Sequence, residues 1–456
     1  MAPIDLQEFL FELEKKEEVL RIKETVSPGL EISFLTQEVC RRRGPALIFE
    51  SFKIPVLTNA FGSMKRMCVA LGINDVEETG AVFRDFLNTP ERYKPSVIDS
   101  SPSCQEILKK GDEIDIFSLP LIKAWPKDAG PSVTLPVVIT KDPETGRTNA
   151  GIYRLQAFDR KTTGLHWRKG SGGERHHALH KKMGKKMEVA VAIGPSPRVT
   201  FAASAPLPND LEEFSFAGHF GKMSIEMARC LTIDMEVPAS SQIVLEGYVE
   251  QEEKRWEGPF GNHTGYYDPG GEYPVFHITC ITMRKDAIYP ATIVGPPPQE
   301  DCYLAKASEP ILLKIIQDEF PEIVDINLPL EGIFNNLLIL SMDKRYPGHG
   351  KELLKALRAK GPLSRFKIIS IFDKDVDIRD FSRVLWKAVN NMEPSQDIFI
   401  RKGDDSSYLD LDFTKTWEDE SPSKKRFARG VGMSMDKDVA MRVSEILKKA
   451  GYFDGR

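Results

Sequence analysis

The central part of the chain alternates strand-like apolar runs with tight turns, and this pattern constrains the fold more than any other feature. From residue 133 it reads "VTLPVVITKDPETGRTNAGIYRLQAFDRKTTGLHW", where "DPETGR" and "DRKTTG" are turn sequences. The pattern continues in "MEVAVAIG", "SQIVLEGYVE", "PVFHITCITMR" and "AIYPATIVG". We therefore predict an antiparallel barrel or closed sheet over residues 103–302, interrupted by one helix in "DLEEFSFAGHFG".

Helices and short strands alternate before this region. The stretch "IDLQEFLFELEKKEEVLRI" has apolar residues on one helical face, at Leu6, Phe9, Leu10 and Leu13. A second helix is predicted in "EISFLTQEVCRRRG", and "PALIFES" and "PVLTNAF" are typical of short strands. Residues 1–102 are therefore predicted to form a small α/β domain.

The last part of the chain returns to a mixed pattern. Helices are predicted in "ASEPILLKIIQDEF", "GKELLKALRAKG" and "RDFSRVLWKAVNNM", and strands in "LLILSM" and "FKIISIF". The tail "KDVAMRVSEILKKAGY" is predicted to be an amphipathic helix with Met441, Val443, Ile446 and Leu447 on its apolar side. Residues 303–456 therefore form a second predicted α/β domain, and the fold class is α/β plus β in three parts.

Length and composition narrow the class of protein. A chain of 456 residues is long enough for two or three domains. Its formal net charge of -5 gives no reason to expect a nucleic-acid partner. No apolar run approaches the roughly 20 residues that span a bilayer, and the N-terminus lacks a signal peptide's apolar core, so a cytoplasmic location is predicted. Six scattered cysteines argue against a zinc site and a disulfide framework.

One candidate anion-binding residue stands in "RTNAGIYRLQ", which places Asn149, Tyr153 and Arg154 after a turn. Arginine is a fixed cation whose planar donor fork suits a carboxylate or a phosphate. The local sequence equally describes an arginine on the surface of a strand, and it favours that reading when it is taken alone.

The stretch "TTGLHWRKGSGGERHHALH" is rich in Gly, Lys and His. Backbone N–H groups of a Gly-rich turn can hold a phosphate, and three histidines invite a metal interpretation. No Cys or carboxylate joins them at ligand spacing, so a solvated loop is the favoured reading. His166 and Trp167 are predicted to continue the preceding strand, with side chains on opposite faces.

Two further motifs carry acids. Glu212 and Glu213 stand near a helix start, where a carboxylate stabilises the helix dipole or supplies an oxygen ligand to a hard divalent cation. In "RWEGPFGNHTGYYDPGGEYPVF", Glu257 precedes a Gly-Pro turn and Asn262 follows it. The amide raises a question, because a second acid at that position would complete a pair for proton transfer.

Taken in order, several motifs together resemble the UbiD family of reversible decarboxylases. They are "NAGIYR", "TTGLHW", "EEFSFAG", "VPASSQIVLEGYVE" and "EGPFGNHTGYY". The segments "RRRGPALIFESF", "PVLTNAFGS", "FPEIVDINLP" and "DKDVDIRD" are similar to the same family, so the resemblance extends over almost the whole chain.

The resemblance implies a cofactor and a place for it. Family members use prenylated FMN, held in a split β-barrel that α/β domains flank. A divalent metal, usually Mn²⁺, holds the phosphate, with K⁺ nearby. By motif, the implied metal ligands are Asn149 and Glu213, with His166 as the third. The implied cofactor-binding residues are Ile152, Tyr153, Arg154, His166, Trp167, Arg168 and Lys367, the last reaching the phosphate from the final domain.

The resemblance also implies a catalytic set of Arg154, Glu257 and Asn262. The family pattern is Glu, Arg and a second acid, and here the second acid is an amide, which cannot act as a carboxylic acid at neutral pH. Three consequences stay open: Glu257 or a bound group supplies the proton, the substrate carries its own acid, or the chain is a weakened paralogue or one subunit of a larger carboxylase. An active enzyme is favoured, because the frame around position 262 is intact.

Substrate and partners are predicted from the same resemblance. A basic cluster in "SPSKKRFARGVGMSM" (Lys424, Lys425, Arg426 and Arg429) suits a second anionic group of the substrate, or is a solvated loop. The candidates are an aromatic acid and a phosphorylated unsaturated acid of isoprenoid synthesis. A flavin prenyltransferase would supply the cofactor, and the chain is predicted to form a homodimer or homohexamer through its last domain.

Overall fold

The structure, a computed structural model of the chain, describes residues 2–359, 362–403, 407–415 and 436–450. The basic cluster of residues 424–429 lies outside the described residues. Within the described part of the chain, no helix is long and apolar enough to cross a membrane.

The first part of the chain packs helices against a small sheet. Asp5 caps the first helix by accepting a hydrogen bond from the backbone N–H of Glu8 at 2.8 Å. The four apolar residues of its predicted stripe are buried, which confirms that helix. The elements are α1 (Leu6–Lys15), β1 (Val19–Ile22), α2 (Glu31–Arg41), β2 (Ala46–Phe49), β3 (Val56–Thr58), α3 (Met64–Leu71) and α4 (Glu78–Asn88).

The central part is dominated by strands, as predicted, but three α-helices interrupt it (Gly172–Lys182, Pro197–Ser204 and Glu213–Gly221), so the prediction of a single helix is wrong. Its elements are β4 (Ser96–Val97), β5 (Ile107–Lys110), β6 (Ser132–Val133), β7 (Pro136–Lys141), β8 (Thr148–Ile152), β9 (Leu155–Gln156), β10 (Thr162–Gly164), α5 (Gly172–Lys182), β11 (Met187–Ile193), α6 (Pro197–Ser204), α7 (Glu213–Gly221), β12 (Glu226–Arg229), β13 (Glu236–Pro238), β14 (Ile243–Glu257), β15 (Phe260–Gly261), β16 (Tyr267–Asp268), β17 (Gly271–Met283) and β18 (Tyr289–Ala291).

The main central sheet has the strand order β10-β17-β14-β11-β7-β8, with β5 beside β17, and every pairing in it is antiparallel. Among the described residues no pairing joins β10 to β8, so closure of the predicted barrel is not confirmed. The last strand of this part, β18, leaves the main sheet and joins the first part of the chain in the order β1-β2-β3-β18.

The last part of the chain is a second α/β unit around the sheet β19-β20-β21-β23-β22. Its elements are α8 (Glu300–Ala307), α9 (Glu309–Gln317), β19 (Ile323–Asn327), β20 (Leu337–Met342), α10 (His349–Ala359), β21 (Ile368–Asp373), α11 (Phe381–Asn391), α12 (Pro394–Asp397), β22 (Ile398–Lys402), β23 (Ser407–Asp412) and α13 (Lys437–Lys449). The core of this unit is formed by Leu and Ile side chains of β19, β20, β21 and α10.

The Gly-rich, His-rich segment is a helix, so the prediction of a solvated loop is wrong. Ser171 accepts a hydrogen bond from the backbone N–H of Glu174, and the Glu174 carboxylate accepts one from the N–H of Gly170 at 3.2 Å, close to the capping-box pattern that starts helices. His176 on α5 is buried and lies 2.9 Å from the Thr140 hydroxyl of β7. The helix therefore packs on the sheet through a satisfied histidine.

Candidate active site

A buried carboxylate stands at the end of the long strand β14. Glu257 is inaccessible to solvent, and it lies opposite Gly271 of β17. Its Oε2 atom has no hydrogen-bond partner among the described residues. A Cβ atom added at Gly164 of β10 would lie 2.6 Å from that oxygen. Glycine at position 164 therefore keeps the space beside Glu257 open.

Arg154 is the partner of this carboxylate. Its Nε donates a hydrogen bond to Glu257 Oε1 at 2.7 Å, and its guanidinium lies over the Phe260 ring, 4.1 Å from the centroid. The other arm of the fork, Nη2, is buried and has no hydrogen-bond partner in the described structure. Since an unsatisfied buried donor is costly, the geometry provides for an acceptor from a bound molecule.

His166 completes the contacts of Glu257. It lies outside any strand, so the prediction that residues 166 and 167 continue a strand is wrong; its backbone N–H donates to the Arg154 carbonyl at 3.3 Å. The Nδ1 atom lies 3.0 Å from Glu257 Oε1, and the ring packs on Tyr273, with 4.1 Å between centroids. No described contact joins it to Asn149 or Glu213, so its assignment as a metal ligand stays a prediction that this placement does not favour.

Asn262 stabilises the turn of the hairpin between β15 and β16. Its Oδ1 accepts a hydrogen bond from the backbone N–H of His263 at 2.6 Å, and its carbonyl accepts one from Gly265 at 3.0 Å. Asparagine is a favoured turn residue for this reason. Within the described structure no contact joins its side chain to Arg154 or Glu257, so a catalytic role for Asn262 stays a prediction.

Besides Glu257, a second acid lies near Arg154, and the sequence motifs did not indicate it. Asp268 of β16 has its Oδ2 atom 3.7 Å from Arg154 Nη2, and its Oδ1 accepts the Gly270 N–H at 3.0 Å. Tyr273 lies in the same cluster, where burial, with the Asp268 charge, raises the pKa of its hydroxyl. No local sequence pattern indicates this placement, because it depends on the pairing of β15 with β16, which sets Asp268 opposite Phe260.

A cavity of about 1030 Å³ is lined by Tyr153, the neighbour of Arg154 in sequence, and by none of the described residues of the Arg154 cluster itself. Asn149 and Glu213 also line it, so two of the three predicted metal ligands share one space. Glu213 Oε2 accepts the backbone N–H of Ala150 at 3.2 Å, which brings the start of α7 against β8. Burial raises the pKa of the Glu213 carboxyl to about 8. The Nδ2 atom of Asn149 is buried without a partner among the described groups.

The start of α5 forms one wall of this cavity. A Cβ added at Gly172 would lie 1.7 Å from Asn149 Oδ1, so only glycine permits the approach of helix and amide. The walls of the cavity are mixed in charge: six carboxylates line it (Glu91, Asp142, Glu174, Asp210, Glu212 and Glu213), together with four basic side chains. The basic side chains are Lys94, Arg147, Arg175 and Lys182.

The remaining predicted cofactor-binding residues divide between two places. Tyr153 packs edge-on against Trp167 with 5.1 Å between ring centroids, and Ile152 is partly buried against a different hydrophobic core. Arg168 lines a second cavity of about 330 Å³, which Phe366 also lines. Lys367 follows Phe366 and is exposed. The cofactor roles of these residues stay predictions.

Three family models match the chain in succession. The N-terminal domain of 3-octaprenyl-4-hydroxybenzoate carboxy-lyase (UbiD) matches residues 10–84, its Rift-related domain residues 96–297 and its C-terminal domain residues 302–421. The chain belongs to the UbiD family. Its members are carboxy-lyases, so the resemblance in the sequence motifs is confirmed at the level of family and enzyme class.

Relatives and solved structures cover the full length of this UbiD-family chain. An uncharacterised protein of Archaeoglobus fulgidus is 44% identical over 92% of the chain and 93% of its own length, and one of Aquifex aeolicus is 40% identical over 98% of both.

Among solved structures, vanillic acid decarboxylase of Sedimentibacter hydroxybenzoicus in closed form has a TM-score of 0.87 at 25% identity, covering 98% of this chain and all 100% of its own. The UbiD-class enzyme HmfF of Pelotomaculum thermopropionicum, in an evolved dimeric form in complex with prFMN, has a TM-score of 0.81 at 25% identity, covering 97% of this chain and 100% of its own. The three-part architecture predicted from the sequence is therefore that of the family.

Proposed function

We propose that this chain is a prenylated-FMN-dependent, non-oxidative decarboxylase of an aromatic or α,β-unsaturated carboxylic acid. One observation carries the proposal. Arg154 is held by Glu257 through one arm of its fork, and its buried Nη2 arm lacks a hydrogen-bond partner among the described residues. A substrate carboxylate supplies the missing acceptor, and arginine suits it because of its forked geometry.

The cavity that Tyr153 lines fits a flavin nucleotide with its metal. Its volume of about 1030 Å³ is ample for such a ligand. Because carboxylates stand among its basic side chains, a phosphate bound there would need a cation between them. Asn149 and Glu213 would hold Mn²⁺ or another divalent cation, because amide and carboxylate oxygens are the ligands that hard cations prefer. Both side chains line the same cavity, which supports this choice.

Each residue of the Arg154 cluster then has a task. Prenylated FMN, when bound, serves as the sink for the electron pair of the breaking bond. Arg154 holds the substrate carboxylate and Glu257 fixes the orientation of Arg154. His166 fixes the rotamer of Glu257 from the other side. Tyr153 and Trp167 form an aromatic wall next to Arg154 that would exclude water from the flavin.

Several finer points of the proposal rest on the family alone. They are a split barrel in the central part, domain limits of 1–102, 103–302 and 303–456, K⁺ beside the phosphate, Lys367 on that phosphate, and a flavin prenyltransferase as supplier of the cofactor. The substrate carries a second anionic group, such as a phosphate, if residues 424–429 face the site.

The direct test is to co-express the chain with a flavin prenyltransferase, record the absorbance spectrum of the purified protein and assay CO₂ release from a panel of aromatic and unsaturated acids. We expect bound modified flavin and turnover of at least one acid. Bound flavin with no turnover of any acid would favour the alternative, a cofactor-binding subunit of a larger carboxylase. The proximity of Asp268 to Arg154 favours the active enzyme, since it gives the site a second carboxylate.

Removal of either metal ligand is expected to empty the site. Asn149→Ala and Glu213→Ala should each lose the metal and most of the flavin, because a phosphate near Glu213 is repelled without a cation between them. Metal analysis and flavin absorbance of the purified variants measure both losses. Glu212→Ala is the matched control, since the Glu212 carboxylate is engaged by the Ser215 hydroxyl at 2.5 Å. Full metal occupancy in both variants would contradict the assignment.

The last part of the chain is expected to form dimers or larger homo-oligomers. On α13 the side chains of Val439, Met441, Val443 and Ile446 are 46%, 61%, 47% and 54% exposed. An apolar face of this kind is typical of an interface. Light scattering at micromolar concentration should give at least twice the mass of one chain. Ile446→Asp should reduce it and Glu445→Gln should not; a monomeric wild type would contradict the prediction.

A further inference from the structure

Arg154 lies within ion-pair distance of two carboxylates. Arg154 Nε donates to Glu257 Oε1 at 2.7 Å, and Arg154 Nη2 lies 3.7 Å from Asp268 Oδ2. With both acids ionised, this group carries one net negative charge before any substrate binds. A substrate carboxylate at Arg154 adds a third negative charge to the same guanidinium. Like charges at this range disfavour joint ionisation, so one acid of the group must bind a proton.

We propose that Asp268 takes up this proton when a carboxylate binds beside Arg154, and that it thereby supplies the acid that position 262 lacks. The inference rests on the proposed function, because it requires that Arg154 binds a carboxylate. It goes beyond that function by naming the residue that loads the proton and the event that loads it.

The contacts of the cluster distinguish Asp268 from Glu257. Glu257 Oε1 lies within hydrogen-bond distance of two nitrogens, Arg154 Nε at 2.7 Å and His166 Nδ1 at 3.0 Å. Asp268 has no hydrogen bond from Arg154, and one backbone N–H, that of Gly270, reaches its Oδ1. Its side chain is 27% exposed, whereas Glu257 is 0% exposed. Asp268 can therefore exchange a proton with solvent while Glu257 stays paired.

The elements packed around Asp268 contain few other charges. From β17 it faces Tyr273, a neutral phenol. From the segment before β6, Lys127 lies on the Tyr267 ring, with 5.9 Å from Nζ to the centroid, and the Asp128 carboxylate accepts the Gly261 N–H at 2.7 Å. Asp128 is thus occupied on the hairpin backbone. Arg154 remains the cation in direct contact with Asp268.

The hairpin between β15 and β16 explains how Asp268 can be the acid near Arg154 although position 262 is an amide. The side chain of Asn262 stabilises the turn through the His263 N–H, and β15 and β16 then pair with Phe260 opposite Asp268. Phe260 itself lies under the Arg154 guanidinium. The turn therefore holds Asp268 at the arginine from the second strand of the hairpin, while the Asn262 side chain stays in the turn.

The proton balances the overall reaction. As the bond to the carboxyl carbon breaks, CO₂ leaves, and the bonding pair ends in a new C–H bond. The proton of that bond is the one that entered with the substrate and was held by Asp268. The Asp268 carboxylate is then ionised again, and Arg154 is free for the next substrate.

The test is isothermal titration calorimetry of benzoate binding to the full chain purified with its bound flavin, repeated in buffers of different ionisation enthalpy. This counts the protons taken up per benzoate bound. We expect uptake that approaches one proton as the pH falls from about 7 to about 5, because uptake occurs between the proton affinities of the free and the liganded acid. Benzoate affinity should rise over the same range.

Three variants locate the proton. Asp268→Asn keeps the acceptor for the Gly270 N–H and removes the charge; it should bind benzoate without proton uptake and with an affinity that no longer depends on pH. Asn262→Asp in the Asp268→Asn background should not restore uptake, because the side chain at position 262 is engaged by the His263 N–H and has no described contact with Arg154. Glu272→Gln, an exposed acid on the next strand, is the matched control and should behave as wild type.

The outcomes separate this inference from the function it rests on. Benzoate binding that Arg154→Lys abolishes, with no proton uptake in wild type, leaves the carboxylate clamp intact and overturns the role of Asp268. Uptake that persists in Asp268→Asn moves the proton to Glu257 or His166 and also overturns it. Absence of benzoate binding in wild type contradicts the clamp itself, and both proposals fall together.

Discussion

Glu257→Gln is expected to abolish decarboxylation in a protein that still binds its flavin. The substitution keeps the shape of the side chain and an oxygen that can accept from Arg154 Nε and His166, but it removes the buried negative charge. Arg154 then lacks its nearest counter-charge, and the loss of one partner of a buried ion pair costs about 3–5 kcal/mol. A guanidinium that is no longer fixed misplaces the substrate carboxylate, and misplacement by about 1 Å alone lowers kcat by on the order of 10²-fold.

CO₂ release and incorporation of solvent deuterium into product measure this prediction, and the flavin spectrum shows that the site is still loaded. Glu253→Gln is a stringent control. Glu253 lies on the same strand and contacts a histidine in the same manner, with Oε2 2.6 Å from His277 Nε2, but it has no described contact with Arg154. Turnover of Glu257→Gln at the rate of the control would show that Glu257 has no part in the reaction.

The long elements were predictable because their patterns are strong. The first helix buries the four residues that its stripe named, and the strands "MEVAVAI" and "LLILSM" are continuous apolar runs in sheets. In α5 the helical signal was local: a serine cap three residues before a glutamate, in an otherwise polar and Gly-rich stretch. The composition of this stretch predicts a loop, but the segment is helical because His176 packs against β7.

The site residues that stand in recognisable sequence motifs could be predicted. A residue that reaches the site only through strand pairing could not. The motif around Arg154 and the motif around Glu257 name residues that the fold does bring together, 103 positions apart in sequence. Asp268 was missed because its approach to Arg154 depends on the register of a hairpin whose strands are only two residues long, which no periodicity reports. Closure of the central sheet also could not be predicted, because it depends on pairing between strands that are distant in sequence. The sequence of one strand does not specify which strand pairs with it.

Arg154→Lys is expected to leave a folded, flavin-loaded protein with turnover reduced by about 10²-fold or more. Lysine keeps the charge, but one ammonium cannot hold Glu257, face Asp268 and lie flat on the Phe260 ring as the planar fork does. A substrate carboxylate bound to such a point charge loses its fixed orientation, and misplacement by about 1 Å alone costs on the order of 10²-fold.

Arg255→Lys is the control that makes this result specific. Arg255 pairs with the Asp159 carboxylate at 3.1 Å and lies 5.7 Å from the Phe158 ring centroid, so it repeats the contacts of Arg154 on an exposed part of the sheet. It should keep wild-type kcat and KM, because exposed ion pairs contribute little. Steady-state kinetics, thermal melting and the flavin spectrum of both variants decide the matter. If Arg154→Lys turns over substrate as Arg255→Lys does, the fork of Arg154 does not hold the substrate carboxylate, and the reaction must depend on another cation.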